Sequence, residues 1–456
     1  MKALQVQALF DGARWRSAQT LCWSNEGLLA AADSNLVQHR SLNRVGEAAW
    51  VLPGIANLHS HAFQRAMAGL AERQTSGEDS FWTWREWMYR FSGVLTPEDV
   101  RVIARLLYVE MLEAGYTSVC EFHYLHHDAD GRSYAPHTAM SDALIAAAED
   151  AGIRLTLLPV LYQRGGFDGR TLNERQRRFA HSTDAFLRLL DALRTRQSAT
   201  VRVGLAFHSL RAVDESTMRA VLAALPDPLA PVHVHIAEQQ AEIVDCLATH
   251  GARPVAWLLD RFDVDCRWTL VHATHLDDAE ARGIARSGAT VALCPSTEAN
   301  LGDGLFPLRA FLAAGGRFGI GSDSHVSVSP VEELRWLEYG QRLIEQKRNR
   351  AILGEGSTGE ALLAQCAASA AAAVGQPVGL LHDGAPADFL VLDAREPSFQ
   401  GATTNDAIDR FVFSGNRPLV RDVYVGGRHV VVEGRHPLRE SAQAAYANVM
   451  RRLLSP

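Results

Sequence analysis

The 456-residue sequence contains no C-x-x-C pair, no block of like charges, no internal repeat, no low-complexity tract and no long uninterrupted apolar run. Each absence removes a class of protein. Six cysteines, at 22, 120, 246, 266, 294 and 366, are too scattered for a disulfide framework or a cysteine-rich zinc module, and fit reduced thiols in the cytoplasm. A net charge of −7 and a pI of about 6.2, with no arginine stripe interleaved with aromatics, argue against nucleic acid as a partner. No membrane partner is expected either. The most apolar long segment, 361–373, is interrupted by Gln365 and Ser369 and stops at Gly375 and Pro377, which reads as a buried helix. The first ten residues reach Asp11 and Gly12 without the apolar core of a secretory leader.

What is present suits a large core. The chain exceeds one ordinary domain but fits a barrel of about 250 residues or more with an appended module. Residues 1–50 carry short strand-like runs between turn signals at Asp11-Gly12 and Asn25-Glu26-Gly27, the N-terminal part of a small β-module. From 51 to 375, short apolar strands alternate with longer helical patterns. The expected strands are Val51–Leu58, Thr117–Phe122, Arg154–Val160, Val201–Phe207, Pro231–Ile236, Trp268–His272, Thr290–Leu293 and Arg317–Gly321, and eight such units predict a closed (β/α)8 TIM barrel. Residues 376–456 return to strands at Ala387–Leu392 and Asp422–Val432 before a terminal helix. The simplest topology pairs these with the N-terminal strands in one discontinuous β-sandwich.

The chemistry of such a barrel sits at the carboxyl ends of its strands. The first strand ends in His59 and His61, two imidazoles on one face of an extended chain, a spacing that can offer two ligands to one metal. The fifth offers His233 and His235, followed by Glu238. His235, nearer the end, is the expected ligand, and His233, one layer deeper, reads as a hydrogen-bonded core histidine. The sixth strand ends in His272. The eighth runs through Gly319 to Asp323 and His325; Asp323 taken alone would cap the following helix. Metal-capable groups at four separate strand ends predict a metal centre.

This constellation resembles the amidohydrolase superfamily, whose members use a distorted (β/α)8 barrel. His59-x-His61, His235-x-x-Glu238, His272 and Asp323 follow the family's order, supported by Cys294–Gly302 and by the tail segment Gly384–Asp393. Binuclear members commonly bridge their metals with a carboxylated lysine at the end of the fourth strand. The only lysines here are Lys2 and Lys347, neither on an expected barrel strand, and the fourth strand leads into His208 and Arg211. One divalent ion per chain is therefore expected, zinc first and iron(II) as the alternative, held by His59, His61, His235 and Asp323. The likeness to the family's deaminase branch implies that His272 and Asp323 relay the proton of a metal-activated water, and that Glu238 passes one to a departing nitrogen, giving hydrolysis at a C=N carbon.

Substrate choice must come from other groups near the strand ends: Gln64; the Trp-rich segment 80–90 with Arg85; Glu121 through His127 with Tyr124; and His208 with Arg211. Two arginines with Gln, Tyr and His suit a small dianionic substrate, because guanidinium forks pair with carboxylates. Arg85 could equally form a surface ion pair, and Trp82, Trp84 and Trp87 read as lid or core packing. A narrower likeness, to iminohydrolases acting on an N-formimino derivative of a dicarboxylic amino acid, implies that Gln64, Arg85, Tyr124, His208 and Arg211 hold the dicarboxylate, and that the protein is a homodimer. Two alternatives stand beside it: an aminohydrolase of purine, pterin or triazine rings, and a non-catalytic scaffold, whose mark would be a missing ligand.

Overall fold

The computed structural model describes residues 1–30, 42–73 and 81–455, with the side chains of 81–83 excepted. Strands β1 (Lys2–Phe10), β2 (Trp15–Trp23), β3 (Leu29–Ala30) and β4 (Asn43–Pro53) open the chain. β1 lies antiparallel to β2 and parallel to β4. Nine further parallel strands follow: β5 (Ile55–Ser60), β6 (Tyr116–His123), β7 (Arg154–Leu161), β8 (Val201–Val203), β9 (Leu205–Ser209), β10 (Val232–Ile236), β11 (Trp268–His272), β12 (Thr290–Leu293) and β13 (Arg317–Ile320). They are apolar and almost wholly buried, as both-face coverage requires. β8 and β9 are one strand broken at Gly204. With β6 paired to β7 and β13 to β5, the ring is a closed (β/α)8 barrel.

The last strands, β14 (Phe389–Leu392), β15 (Val420–Val425) and β16 (Arg428–Val431), join the N-terminal ones through β14, which runs antiparallel to β4. The N- and C-terminal segments thus meet, as expected, in one discontinuous unit, a seven-stranded sheet ordered β16-β15-β14-β4-β1-β2-β3. It has its own core, including Leu4, Trp23, Val51, Phe389 and Tyr424. A buried ion pair, Arg154 Nε to Asp388 Oδ2 at 2.5 Å, ties it to the start of β7.

Three expected elements are corrected. Val51–Leu58 is not one strand: residues 51–53 finish β4 in the small sheet, and Gly54 turns the chain into β5. A side chain at Gly54 would lie 2.1 Å from Thr117 Oγ1, so only glycine lets the two sheets meet there. Val201–Phe207 is interrupted at Gly204, and Asp422–Val432 is a hairpin turning at Gly426 and Gly427, both with positive φ. The apolar segment around 361–373 is the expected buried helix, Thr358–Val374, capped by Ser357 and ended by Gly375 at φ 65°. Its C-terminal carbonyls close the lower end of the barrel. His233 Nε2 bonds to Ala373 O at 2.9 Å, the core role expected of it, and Thr156 Oγ1 donates to Val374 O at 2.6 Å. The chain closes with the helix Arg439–Leu454, and all six cysteines are free.

Candidate metal centre and substrate pocket

The strand ends bring four side chains to one point. His59 Nε2 lies 3.1 Å from His61 Nε2 and 3.0 Å from His235 Nε2, and Asp323 Oδ1 is 3.4 Å from both His59 Nε2 and His61 Nε2. Backbone pairing beyond β5 and β13 fixes this: Asp323 N donates to His59 O at 3.0 Å and His61 N to Asp323 O at 3.1 Å. Gly321 permits the approach, since a Cβ there would sit 2.8 Å from His59 Cβ. His235 is opposed by a β-bulge in which β9 carries one extra residue, His208, whose carbonyl accepts from His235 Nδ1 at 3.0 Å.

These donors fit a divalent cation. His61 Nδ1 bonds to Phe122 O at 2.8 Å, and His235 Nδ1 to His208 O. Both rings therefore turn a bare Nε2 lone pair inward. Burial, aided by the neighbouring imidazoles, drives the pKa values of His59 and His235 well below the ordinary range, and burial also lowers that of His61. Neutral lone pairs held 3.0–3.1 Å apart repel one another unless a cation lies between them, and tetrahedral zinc with bonds of about 2 Å has ligands about 3.3 Å apart. A ring nitrogen of His272 also lies within 4.8 Å of one from each of His59 and His235. This ring differs in its surroundings. Burial opposes its charge, but Glu238, Glu298 and Asp323 outweigh burial and raise it to about 10, a proton holder. Neither Lys2, in β1, nor Lys347, after the helix Pro330–Glu345, lies on a barrel strand.

Above the cluster opens a small pocket with an internal volume of about 60 Å³. His61, Gln64, Arg85, Tyr124, His208, Arg211, His235, Glu238, His272 and Asp323 all line it, and His59 lies beneath. Gln64 Nε2 donates to Tyr124 OH at 2.8 Å. Arg85, on the helix Phe81–Ser92, lines the pocket and donates from Nη2 to Tyr89 OH at 2.5 Å. Arg211 makes no hydrogen bond or ion pair among the described residues. Glu238 is buried, and burial, against the pull of His272 and Arg211, raises its pKa. Glu242, behind it, is pushed by burial to about 7.

Several expected contributors lie elsewhere. Glu121 turns beneath the centre, accepting from Ser60 Oγ at 2.6 Å and Ala62 N at 2.7 Å. His126 and His127 bond to Val160 O and Ala180 O, away from the pocket. Asp323 caps no helix, because the next, Pro330–Glu345, is capped by Ser329. Trp84 lines the pocket, Trp87 packs on the core, and the Trp82 side chain lies outside the described residues. Sequence reasoning missed Tyr89, Tyr162 and Phe179 in the pocket wall, Glu298 beside His272, and Arg178. The last, nearly buried, donates to His127 O at 2.8 Å, Leu95 O at 2.7 Å and Ser92 O, joining the wall's loops.

Comparison with known proteins places this geometry. The model of the amidohydrolase family matches residues 50–430. The chain is 55% identical over 406 residues to a formimidoylglutamate deiminase of Pseudomonas aeruginosa, covering 89% of each. It is 26% identical to a 5-methylthioadenosine/S-adenosylhomocysteine deaminase of Natronomonas pharaonis, over 95% of this chain and 94% of the relative. Among solved structures, an amidohydrolase from Brucella melitensis superimposes with a TM-score of 0.93 at 44% identity, covering the whole of both chains.

Proposed function

The chain belongs to the amidohydrolase family, and on that premise we propose that it is a metal-dependent iminohydrolase converting N-formimino-L-glutamate and water to N-formyl-L-glutamate and ammonia, a step of histidine degradation. The observation that carries this reading is Arg211: a guanidinium without a partner among the described residues, lining the same pocket as Arg85 and as the Glu238, His272 and Asp323 cluster. A dianion with a compact cationic amidine at its far end matches that polarity. His59, His61, His235 and Asp323 would hold one ion, with zinc the first choice for three imidazoles and a carboxylate and iron(II) the alternative. When bound, a divalent metal activates water by lowering its pKa towards neutrality.

The chain's own groups do the rest. Arg85 and Arg211 pair with the two carboxylates, and Gln64, Tyr124 and neutral His208 orient the glutamate. Asp323 Oδ2 takes up the proton of the attacking water, and His272 Nε2, 3.7 Å away and already protonated, relays by giving its own proton onward and regaining one from Asp323. Glu238, its carboxyl raised by burial, delivers a proton to the departing nitrogen, so ammonia leaves instead of a strongly basic amide ion. A homodimer in the cytoplasm completes the reading. The test is a substrate panel. Ammonia and N-formylglutamate from N-formimino-L-glutamate, with none from adenosine, guanine or S-adenosylhomocysteine, is the expected result. Ammonia from a ring substrate and none from formiminoglutamate would overturn it.

A further inference from the structure

The segment Cys294–Gly302 has no part in the chemistry above, yet it delivers one side chain to the centre. The helix Pro295–Leu301 begins directly after β12, and Glu298 in its first turn reaches across to the neighbouring strand β11. Glu298 Oε1 lies 3.2 Å from His272 Nδ1 and accepts from Cys294 N at 2.9 Å. Both side chains are buried. The backbone of His272 and Ala273 is left-handed, with φ 67° and 48°, a conformation that residues with a Cβ adopt only when their surroundings hold them. His272 Nε2 points the other way, 3.7 Å from Asp323 Oδ2 and 4.0 Å from Glu238 Oε1. Those distances are too long for direct hydrogen bonds and leave room for one small group between the ring and the two carboxylates.

We propose that Glu298 is a positioning residue: it anchors His272 Nδ1 so that Nε2 stays turned to the reacting centre without collapsing onto Asp323 or Glu238. Without the anchor, Nδ1 would be a buried polar atom lacking a partner, and the ring would gain by rotating toward a carboxylate. The close grouping of His272, Cys294 and Glu298 is then a hydrogen-bonded brace. The role in turnover rests on the iminohydrolase reading, but the anchor itself does not.

Glu298→Gln keeps the shape of the side chain and removes its charge. With formiminoglutamate, kcat is expected to fall by about 10- to 100-fold, the scale for a group that orients a catalytic one, while KM stays within about twofold and metal content is unchanged. In protein labelled at histidine, the ¹⁵N resonance of His272 Nδ1 should move in Glu298→Gln and in Glu298→Ala, and Glu298→Asp should restore part of both signal and rate. In the His272→Asn background, Glu298→Gln should cost little more, because it acts through the missing ring. An unmoved His272 resonance, a fully additive double variant, or a loss of metal in Glu298→Gln would overturn the proposal. If wild-type protein proves inert towards formiminoglutamate, the function assigned above falls, and the ¹⁵N measurement, which needs no substrate, still decides this one.

Discussion

Replacing Arg211 by methionine keeps most of the stem and removes the charge. Burial works against that charge, yet Tyr162, Glu242, Glu238 and Tyr89 hold the guanidinium above its ordinary pKa, so it is fully cationic when substrate arrives. It makes no hydrogen bond among the described residues, so the substitution should change unfolding free energy by only about 1 kcal/mol or less. Its cost should appear in catalysis. A charge-assisted bond to a substrate carboxylate contributes roughly 1.5–3 kcal/mol, which converts to a fall in kcat/KM of about 10- to 150-fold. Arg85→Met should fall in the same range, with a further loss if Tyr89 is left without its partner. The assay is steady-state ammonia release at fixed metal content, with formiminoglutamate and with formiminoglycine, which lacks the distal carboxylate. Formiminoglycine should be a poor substrate for the wild type and lose little further in whichever variant has lost the distal contact. If both variants hydrolyse formiminoglutamate at wild-type kcat/KM, the dianion clamp is wrong and a ring substrate must be reconsidered.

Three other outcomes are expected. Metal analysis should find about one divalent ion per chain, lost with activity in His59→Ala and His235→Ala; two firmly bound ions would refute the mononuclear reading. Glu238→Gln should keep its metal while kcat falls by about 100-fold or more, whereas a metal-free but folded variant would make Glu238 a ligand. In the small sheet, burial pushes the Asp422 carboxyl up, but bonds from His429, Arg421 and Glu433 N outweigh it and hold it at about 2. The folded value is depressed, so the stabilisation is complete above the unfolded pKa of about 4 and is lost as pH falls through 2. Asp422→Asn should therefore cost about 1–2 kcal/mol at pH 7 after allowance for screening, and a difference that persists undiminished at pH 2 would contradict the assignment.

The barrel was legible because its signal is periodic and local. Trp268–His272 and Thr290–Leu293 agree with the expectation residue for residue, since apolar runs between helical patterns admit little else. The strand-end donors were legible for the same reason: once the end of a barrel strand is located, its inward residue is nearly determined. The misplaced boundaries arose where a run stays apolar while its partner changes. Val51 to Leu58 is uninterrupted in hydropathy, but Gly54 moves the chain from one sheet to another, and only the close approach of Thr117 reveals why glycine stands there.

The pocket wall was harder to read because its members come from segments with no period. Tyr89, Tyr162 and Phe179 belong to a helix after the first strand, the end of the third strand and a 3-10 turn, and they meet only because the backbone is folded. The rings of Tyr89 and Phe179 stack with centroids 6.3 Å apart, and those of Tyr162 and His208 meet edge-on with centroids 4.4 Å apart. Arg178 holds the loops that present them, and as a buried arginine bonded to three carbonyls it carries no recognisable motif. His208 was read as a pocket residue from its place after the fourth strand, but its structural part depends on a bulge invisible in the pattern. The extra residue in β9 turns the His208 carbonyl to His235 Nδ1 and leaves its ring in the pocket, so one insertion serves both the orientation of His235 and the pocket wall.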